Sequence, residues 1–340
     1  MGDVRASLGI ETLRRSVRLL GALLLAAPVL ATAACGVTRG EDSRDLLMII
    51  PNSPGGGYDQ TGRAAVAVME DADITGGSFT VDNVIGAGGA GAMTTLIGKA
   101  GDEHTMMTVG LGVVGSTYSF ASDYRLEDAT PLAQLMSEPE GILVPGDSPY
   151  ETVDDFVQAW KADPGSLAIG GGSSPGGPDH LFPMQLADEI GIDPNDVNYV
   201  SYDGGGPLTS ALLGKKIDAG FSGPAEFTGQ VESGELRMLA VSGEERSPVD
   251  VFSDVPTLTE SGIDLVFLNW RGVLAPPDIS EERRDELVGY LETMHDTEGW
   301  REQLREYGWT DDFKTGDEFS DFIAEQDQRV SGTLQELGLI

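Results

Sequence analysis

The chain has 340 residues, 40% of them hydrophobic, with 46 glycines and a formal net charge of −35. That length suggests two domains at about 150 residues each, and a charge of that sign and size repels nucleic acid and anionic lipid headgroups alike, excluding both as partners. Solubility or a salty medium accounts for the acidity, but the same shell repels an anionic ligand at long range. An anion site here therefore needs locally focused positive potential, which helix N-termini supply without basic side chains.

The N-terminus reads as a targeting segment. Arg14, Arg15 and Arg18 precede an apolar stretch at 19–30 that is too short to span a bilayer comfortably. Thr32-Ala33-Ala34 then lead into Cys35, the one cysteine of the chain, which can make no internal disulfide. Small residues directly before a lone cysteine resemble a bacterial lipobox, with Thr32 where leucine is usual. Residues 1–34 are thus expected to be a lipoprotein signal peptide, Cys35 the lipidated residue and 35–44 a tether. Nothing after Cys35 is long and apolar enough to cross a membrane, so the lipid anchor is the expected membrane contact.

From there the chain alternates short apolar runs with amphipathic segments, the pattern of an α/β protein. Strands are predicted at 46–50, 79–84, 105–109, 132–135, 141–144, 167–169, 197–200, 219–221, 236–241 and 272–274. Helices are predicted at 64–70, 92–99, 153–161, 180–190, 207–213 and 225–232, and Thr152 with Asp155 forms an N-cap signal before the third. From Ser280 onward the sequence is almost all helix-forming, at 281–295, 300–307 and 317–337. Glycines pile up at 54–57, 86–91, 170–177 and 204–206, each time between a predicted strand and a predicted helix. In open α/β sheets ligands sit where such turns gather, so four of them predict a site lined mainly by backbone, in a cleft between two lobes.

Catalytic motifs fail on inspection. Gly86-Ala87-Gly88-Gly89-Ala90-Gly91 satisfies G-x-G-x-x-G, but Asp102-Glu103 comes too early for a ribose contact and does not close a strand. Gly172-Ser173-Ser174-Pro175-Gly176 satisfies G-x-S-x-G, yet Pro175 lacks the N–H that the oxyanion hole of that motif requires. The three histidines, His104, His180 and His295, lie far apart, so neither a triad nor a metal set is indicated, and no P-loop lysine follows 54–57. No enzyme activity, cofactor or metal is expected.

In order along the chain, these turns resemble one family, the Bug or TctC solute receptors of tripartite tricarboxylate transporters. Pro54-Gly55-Gly56 with Asp59 and Arg63 is similar to the family's P-G-G-x-x-D-x-x-A-R opening, with Gly62 replacing the alanine. Val81-Asp82-Asn83 before Gly86-Ala87-Gly88-Gly89 resembles its V-E-N-R-P-G-A-G-G segment, with Val84-Ile85 replacing Arg-Pro. The 172–177 turn before His180-Leu181 resembles its serine- and glycine-rich turn. Tyr202-Asp203-Gly204-Gly205-Gly206-Pro207 resembles Y-K-G-G-x-P, with aspartate where lysine is common. Leu239-Ala240-Val241, Asp254-Val255-Pro256-Thr257 and Trp270-Arg271-Gly272 with Ala275-Pro276 complete the series.

The resemblance implies a type II periplasmic-binding-protein fold, two α/β lobes with a ligand cleft between them, and no catalysis. It divides the chain into lobe 1 at 45–142 plus 258–340 and lobe 2 at 143–257. It implies a small organic carboxylate as ligand, held largely by main-chain groups, and the large and small integral-membrane subunits of a transporter as partners. The site residues expected on this basis are Ser53, Gly55, Gly56, Gly88, Gly89, Ser173, Ser174 and Gly204. Asp59 either caps the first helix or touches the ligand. His180 is either a donor or makes a structural hydrogen bond across its turn. Asp203 at the cleft rim disfavours a fully ionised tricarboxylate and favours an amino acid, a hydroxy acid or a smaller dicarboxylate. The location implied is the extracytoplasmic face of the plasma membrane. A secreted nucleotide- or ester-acting enzyme and a ligand sensor for a signalling partner are the alternative readings. If Cys35 carries the anchor, Cys35→Ser releases the protein into the medium, as cell fractionation would show; unchanged membrane association of that variant contradicts the lipobox reading.

Overall fold

The computed structural model of the protein describes residues 45–340; the expected signal peptide, Cys35 and the whole of the expected tether lie outside these residues. In the first part, β1 (Leu46–Ile50), α1 (Gly57–Asp71), β2 (Phe79–Asn83), α2 (Ala90–Ile97), β3 (Thr105–Gly110), α3 (Leu111–Ser119) and β4 (Thr130–Pro139) follow one another. A second run holds β5 (Gly141–Pro145), α4 (Val153–Ala162), β6 (Ala168–Gly171), α5 (Pro178–Glu189), β7 (Asn198–Ser201), α6 (Gly205–Leu213), β8 (Ala219–Ser222), α7 (Thr228–Glu232) and β9 (Leu236–Val241). The chain closes with β10 (Leu268–Ala275), α8 (Glu281–His295), α9 (Glu298–Tyr307), β11 (Lys314–Thr315) and α10 (Gly316–Glu336).

These strands make two sheets. The first has the order β11-β4-β10-β3-β1-β2 and the second β7-β6-β8-β5-β9. The chain passes between them twice, from β4 to β5 through Glu140 and from β9 to β10 through 242–267. Ser242, fully buried, stitches the crossings together. Its N–H donates to the Glu140 carbonyl (2.8 Å), its Oγ accepts from the Glu140 N–H (2.8 Å), and the same hydroxyl donates to the Phe267 carbonyl (2.5 Å). A buried hydroxyl with its hydrogen-bonding capacity used in this way fixes three backbone segments at one point.

Local chemistry accounts for the element ends. Thr152 accepts from the Asp155 N–H (3.2 Å) while the Asp155 carboxylate accepts from the Thr152 N–H (2.9 Å), the reciprocal capping box that opens α4. Helix α1 begins seven residues earlier than predicted, at Gly57, inside the first glycine turn. Helix α3 was not predicted at all; its segment, Leu-Gly-Val-Val-Gly-Ser-Thr-Tyr-Ser, is weak in helix propensity, but seven of its nine residues are buried and packing decides. One apolar cluster runs from Ile49 and Met107 of the first sheet to Phe156, Phe182 and Phe221 around the second, with Phe182 stacked on Phe267 at 5.4 Å.

Helix α3 meets the loop after β6 with no room between them: a Cβ on Gly115 runs into the backbone of Gly176. Nearby, the Ser119 hydroxyl donates to the Pro175 carbonyl (2.5 Å). Two helical glycines therefore carry opposite expectations. Gly115→Ala should destabilise by about 1–3 kcal/mol through overpacking, whereas Gly289→Ala in α8, where nothing stands within 4 Å, should stabilise by about 0.5–1 kcal/mol. Urea unfolding of the two variants checks both signs.

Candidate functional site

A cavity of about 790 Å³ collects all four glycine turns. Its wall includes Ser53, Gly55 and Gly56 before α1, Gly88 before α2, Ser173 and Ser174 before α5, and Asp203 and Gly204 before α6. Gly55 and Gly204 hold φ at +85° and +93°, a region that any Cβ disfavours. The second and third turns touch: a Cβ on Gly88 collides with the Ser174 side chain. Eight of the eleven expected site residues are thus brought into one wall.

The other three, Asp59, Gly89 and His180, are not in that wall. Asp59, in the first turn of α1, accepts from the Gly55 N–H (2.9 Å), Arg63 Nε (2.8 Å) and Asn83 Nδ2 (3.0 Å), so it ties the first glycine turn to its own helix and to β2. Gly89, at φ +103°, sits against Val113 and Pro51. The His180 ring accepts from the Gly176 N–H through Nδ1 (3.1 Å) and packs edge-on against Tyr199 at 4.8 Å; burial lowers its pKa to about 4. Of the two roles left open by the sequence, His180 is placed as the structural bond across the turn. Asp203 lines the cavity and is exposed, at its rim.

The ionisable residues of the site are the part that sequence reasoning missed. Arg271 of β10 lines the cavity with its guanidinium against Gly57, at the start of α1, and 5.6 Å from the centroid of the Tyr58 ring. It pairs with Glu138 of β4 at 2.5 Å, and both side chains are buried. Glu138 also accepts from Trp309 Nε1 (3.0 Å). The Tyr58 hydroxyl accepts from the Val113 N–H (3.1 Å), and burial drives its pKa up to about 12. Glu140, Asp179 and Glu226 complete the lining acids with Asp203. Asp179 accepts from the Gly172 N–H (2.7 Å), yet burial raises it to about 6. Glu226, half-buried as a residue, accepts from the Gly205 N–H (3.2 Å) and is raised to about 8, by burial of its carboxyl end first and by Asp179 next. Burial, then Asp179 and Glu138, push Glu140 well above the carboxylate range.

Two lobes facing each other across such a cleft define a solute-binding protein of the periplasmic type. Comparison with known proteins agrees. Residues 64–339 match the family described as "Tripartite tricarboxylate transporter family receptor". A protein of Cupriavidus necator, named for the gbd 5' region, is 28% identical over 299 residues, 87% of this chain and 88% of its own. Among solved structures, the periplasmic binding protein BugD aligns with a TM-score of 0.76 at 21% identity, over 87% of this chain and 98% of its own. MatC from Rhodopseudomonas palustris with bound malate aligns at 0.72 and 23% identity, over 84% and 97%. The chain belongs to the tripartite tricarboxylate transporter receptor family. It is a solute-binding receptor of an extracytoplasmic class, not an enzyme. Among the described residues no helix is long and apolar enough to cross a membrane.

Linkage gives the site a pH signature. Glu140 and Glu226 have pKa values raised on folding, so the native state holds protons that the unfolded chain releases above about 4.5. Stability from these groups is full below that pH and is lost as pH rises towards about 8 for Glu226. His180 works in the opposite direction but between about 4 and 6.5, which leaves the interval from 6.5 to 8 to the carboxyls. Melting temperature should therefore fall across pH 6.5–8, and Glu226→Gln should flatten that fall; an identical slope in the variant would contradict the assignment.

Proposed function

We infer that this receptor captures a small organic carboxylate and delivers it to the large and small integral-membrane subunits of a tripartite transporter. The observation that carries the reading is convergence: the glycine-rich starts of α1, α5 and α6, the turn before α2 and one guanidinium share a single cavity. Helix N-termini and a planar guanidinium are donors suited to a carboxylate. Malate bound to MatC, the ligand of a protein with the same fold, supports the ligand class. Each helix terminus contributes about 0.3–1 kcal/mol when exposed and up to about 2 when partly buried. With charge-assisted N–H bonds of about 1.5–3 kcal/mol each, micromolar affinity, about −8 kcal/mol, is within reach after binding costs.

The division into lobes at 45–142 with 258–340 and 143–257 belongs to this reading, supported by the changes of sheet between β4 and β5 and between β9 and β10. So does tethering through Cys35, supported by the small residues before it. Ser53, Gly55, Gly56, Gly88, Ser173, Ser174 and Gly204 are the wall residues that would face the ligand. Closure of the lobes over it would present a distinct surface to the membrane subunits.

Calorimetry of the full-length protein with a panel of mono-, di- and hydroxycarboxylates tests the ligand class. At least one should bind, and Gly57→Ala, whose Cβ meets the Arg271 guanidinium, should weaken it by about tenfold, the equivalent of 1.4 kcal/mol. Binding of a nucleotide with no carboxylate bound would discard the reading.

A further inference from the structure

The cavity wall is unbalanced in charge. Among the described residues that line it there is one base, Arg271, and there are four acids, Glu140, Asp179, Asp203 and Glu226. The base is already spoken for, since Glu138 holds it at 2.5 Å. Asp179 and Glu226 each have a backbone N–H, from Gly172 and Gly205. Glu140 stands apart. Its side chain is fully buried at the cavity wall, and neither of its carboxyl oxygens has a hydrogen-bond partner among the described residues. It sits at the β4–β5 crossing, where its backbone N–H and carbonyl are both bonded to Ser242, so the position of its Cα is fixed at the junction.

A buried carboxylate without a partner is costly, and two things relieve the cost: a proton or a cation. We propose that the ligand is an ammonium-bearing carboxylate, such as an amino acid, whose ammonium group docks on Glu140 with Asp179 and Glu226 beside it, while its carboxylate takes the glycine-turn and Arg271 side of the cavity. This rests on the carboxylate-receptor reading and narrows it. An ammonium group has three N–H donors and no acceptor, which matches the carboxyl oxygens and also the buried, unpartnered Oδ1 of Asn52 in this wall. A bare metal ion is less suited: among the described residues no group of three His, Cys, Asp or Glu side chains is arranged to hold one. The groups facing Glu140 are Glu138 and Arg271 from β4 and β10, Asp179 from α5 and Glu226 from the turn before α7, with Tyr199 of β7 also in electrostatic range. Their sum, together with burial, keeps a proton on Glu140 until a cation replaces it.

That exchange supplies the test. The full-length protein is titrated at pH 7 with isosteric pairs, aspartate against malate and 4-aminobutyrate against pentanoate, in two buffers of different ionisation enthalpy. The amine-bearing member of a pair should bind about tenfold or more tightly, as expected for desolvated charge pairing, and its binding should release protons to the buffer. Glu140→Gln should abolish both the preference and the proton release. Equal or tighter binding of the amine-free acids to the wild-type protein overturns the proposal but leaves the carboxylate receptor standing. Proton uptake on binding, or no proton exchange at all, also overturns it, because Glu140 would then not have released its proton to the buffer in favour of the ammonium group. If no member of any pair binds, the carboxylate reading itself falls, and the proposal with it. Should Glu140→Gln fail to fold, the proton count on the wild-type protein decides alone.

Discussion

The buried pair between Arg271 and Glu138 is the contact on which the rest of the site depends. The two residues lie on β10 and β4, neighbouring strands of the first sheet and the two that border the crossings to the second. Removing one member of such a pair typically costs about 3–5 kcal/mol, because the other is left buried and charged. Here the pair does more than satisfy itself. Glu138 also gathers Trp309 from the C-terminal region, and Arg271 lies over the start of α1, against Gly57 and Tyr58. The helix that presents the first glycine turn is thus referenced to the same two strands that carry the chain into the second lobe. A displacement of either strand is felt at the cavity wall.

This arrangement explains why glycine, and not a basic residue, occupies the turns. The guanidinium fills the space next to Gly57 that a side chain would need, and the Ser174 side chain fills the space next to Gly88. Close approach of backbone to backbone, and of backbone to a fixed side chain, is what brings four turns from two lobes onto one cavity. The cost is conformational: glycines lose more freedom on folding than other residues. Asp59 offsets part of it by tying Gly55, Arg63 and Asn83 together, so the turn is held by its own helix before any ligand is considered.

Much of this was legible in the sequence. Proline and glycine mark turns by their backbone chemistry, so all four turns were found, and the 236–241 strand and the 281–295 helix agree with the observed elements to the residue. Helix α3 was not legible because its glycines and β-branched residues disfavour helix locally, and tertiary burial overrides them. The start of α1 was hidden for a related reason: Gly57 reads as turn, but Asp59 reaching back to Gly55 stabilises the first helical turn. The ionisable set escaped because its signal is not a motif. Arg271 stands in a strand that is apolar but for Asn269, and Glu138 and Glu140 flank Pro139 within mostly buried chain. A charged residue in a strand with no exposed face needs a partner, and that rule points to these three; it does not say which acids and bases meet, since their pairing depends on how β4 and β10 align.

The same reasoning separates the two scales of charge in the molecule. A net charge of −35 looks prohibitive for an anionic ligand, but at physiological ionic strength charges more than about 8 Å apart across solvent are largely screened. The surface therefore sets solubility and slows the approach of anions, and has little say over what is held once inside. In the cavity, screening is weak and each group counts. There the Arg271 charge is already compensated by Glu138, while neither carboxyl oxygen of Glu140 has a hydrogen-bond partner among the described residues. On the proposed reading, the cationic end of a solute takes the place of the proton that burial keeps on Glu140, while its carboxylate uses the helix N-termini. The electrostatics of the cavity is therefore a local matter, set by a handful of side chains at the strand crossing, and the acidic shell outside is electrostatically a separate property.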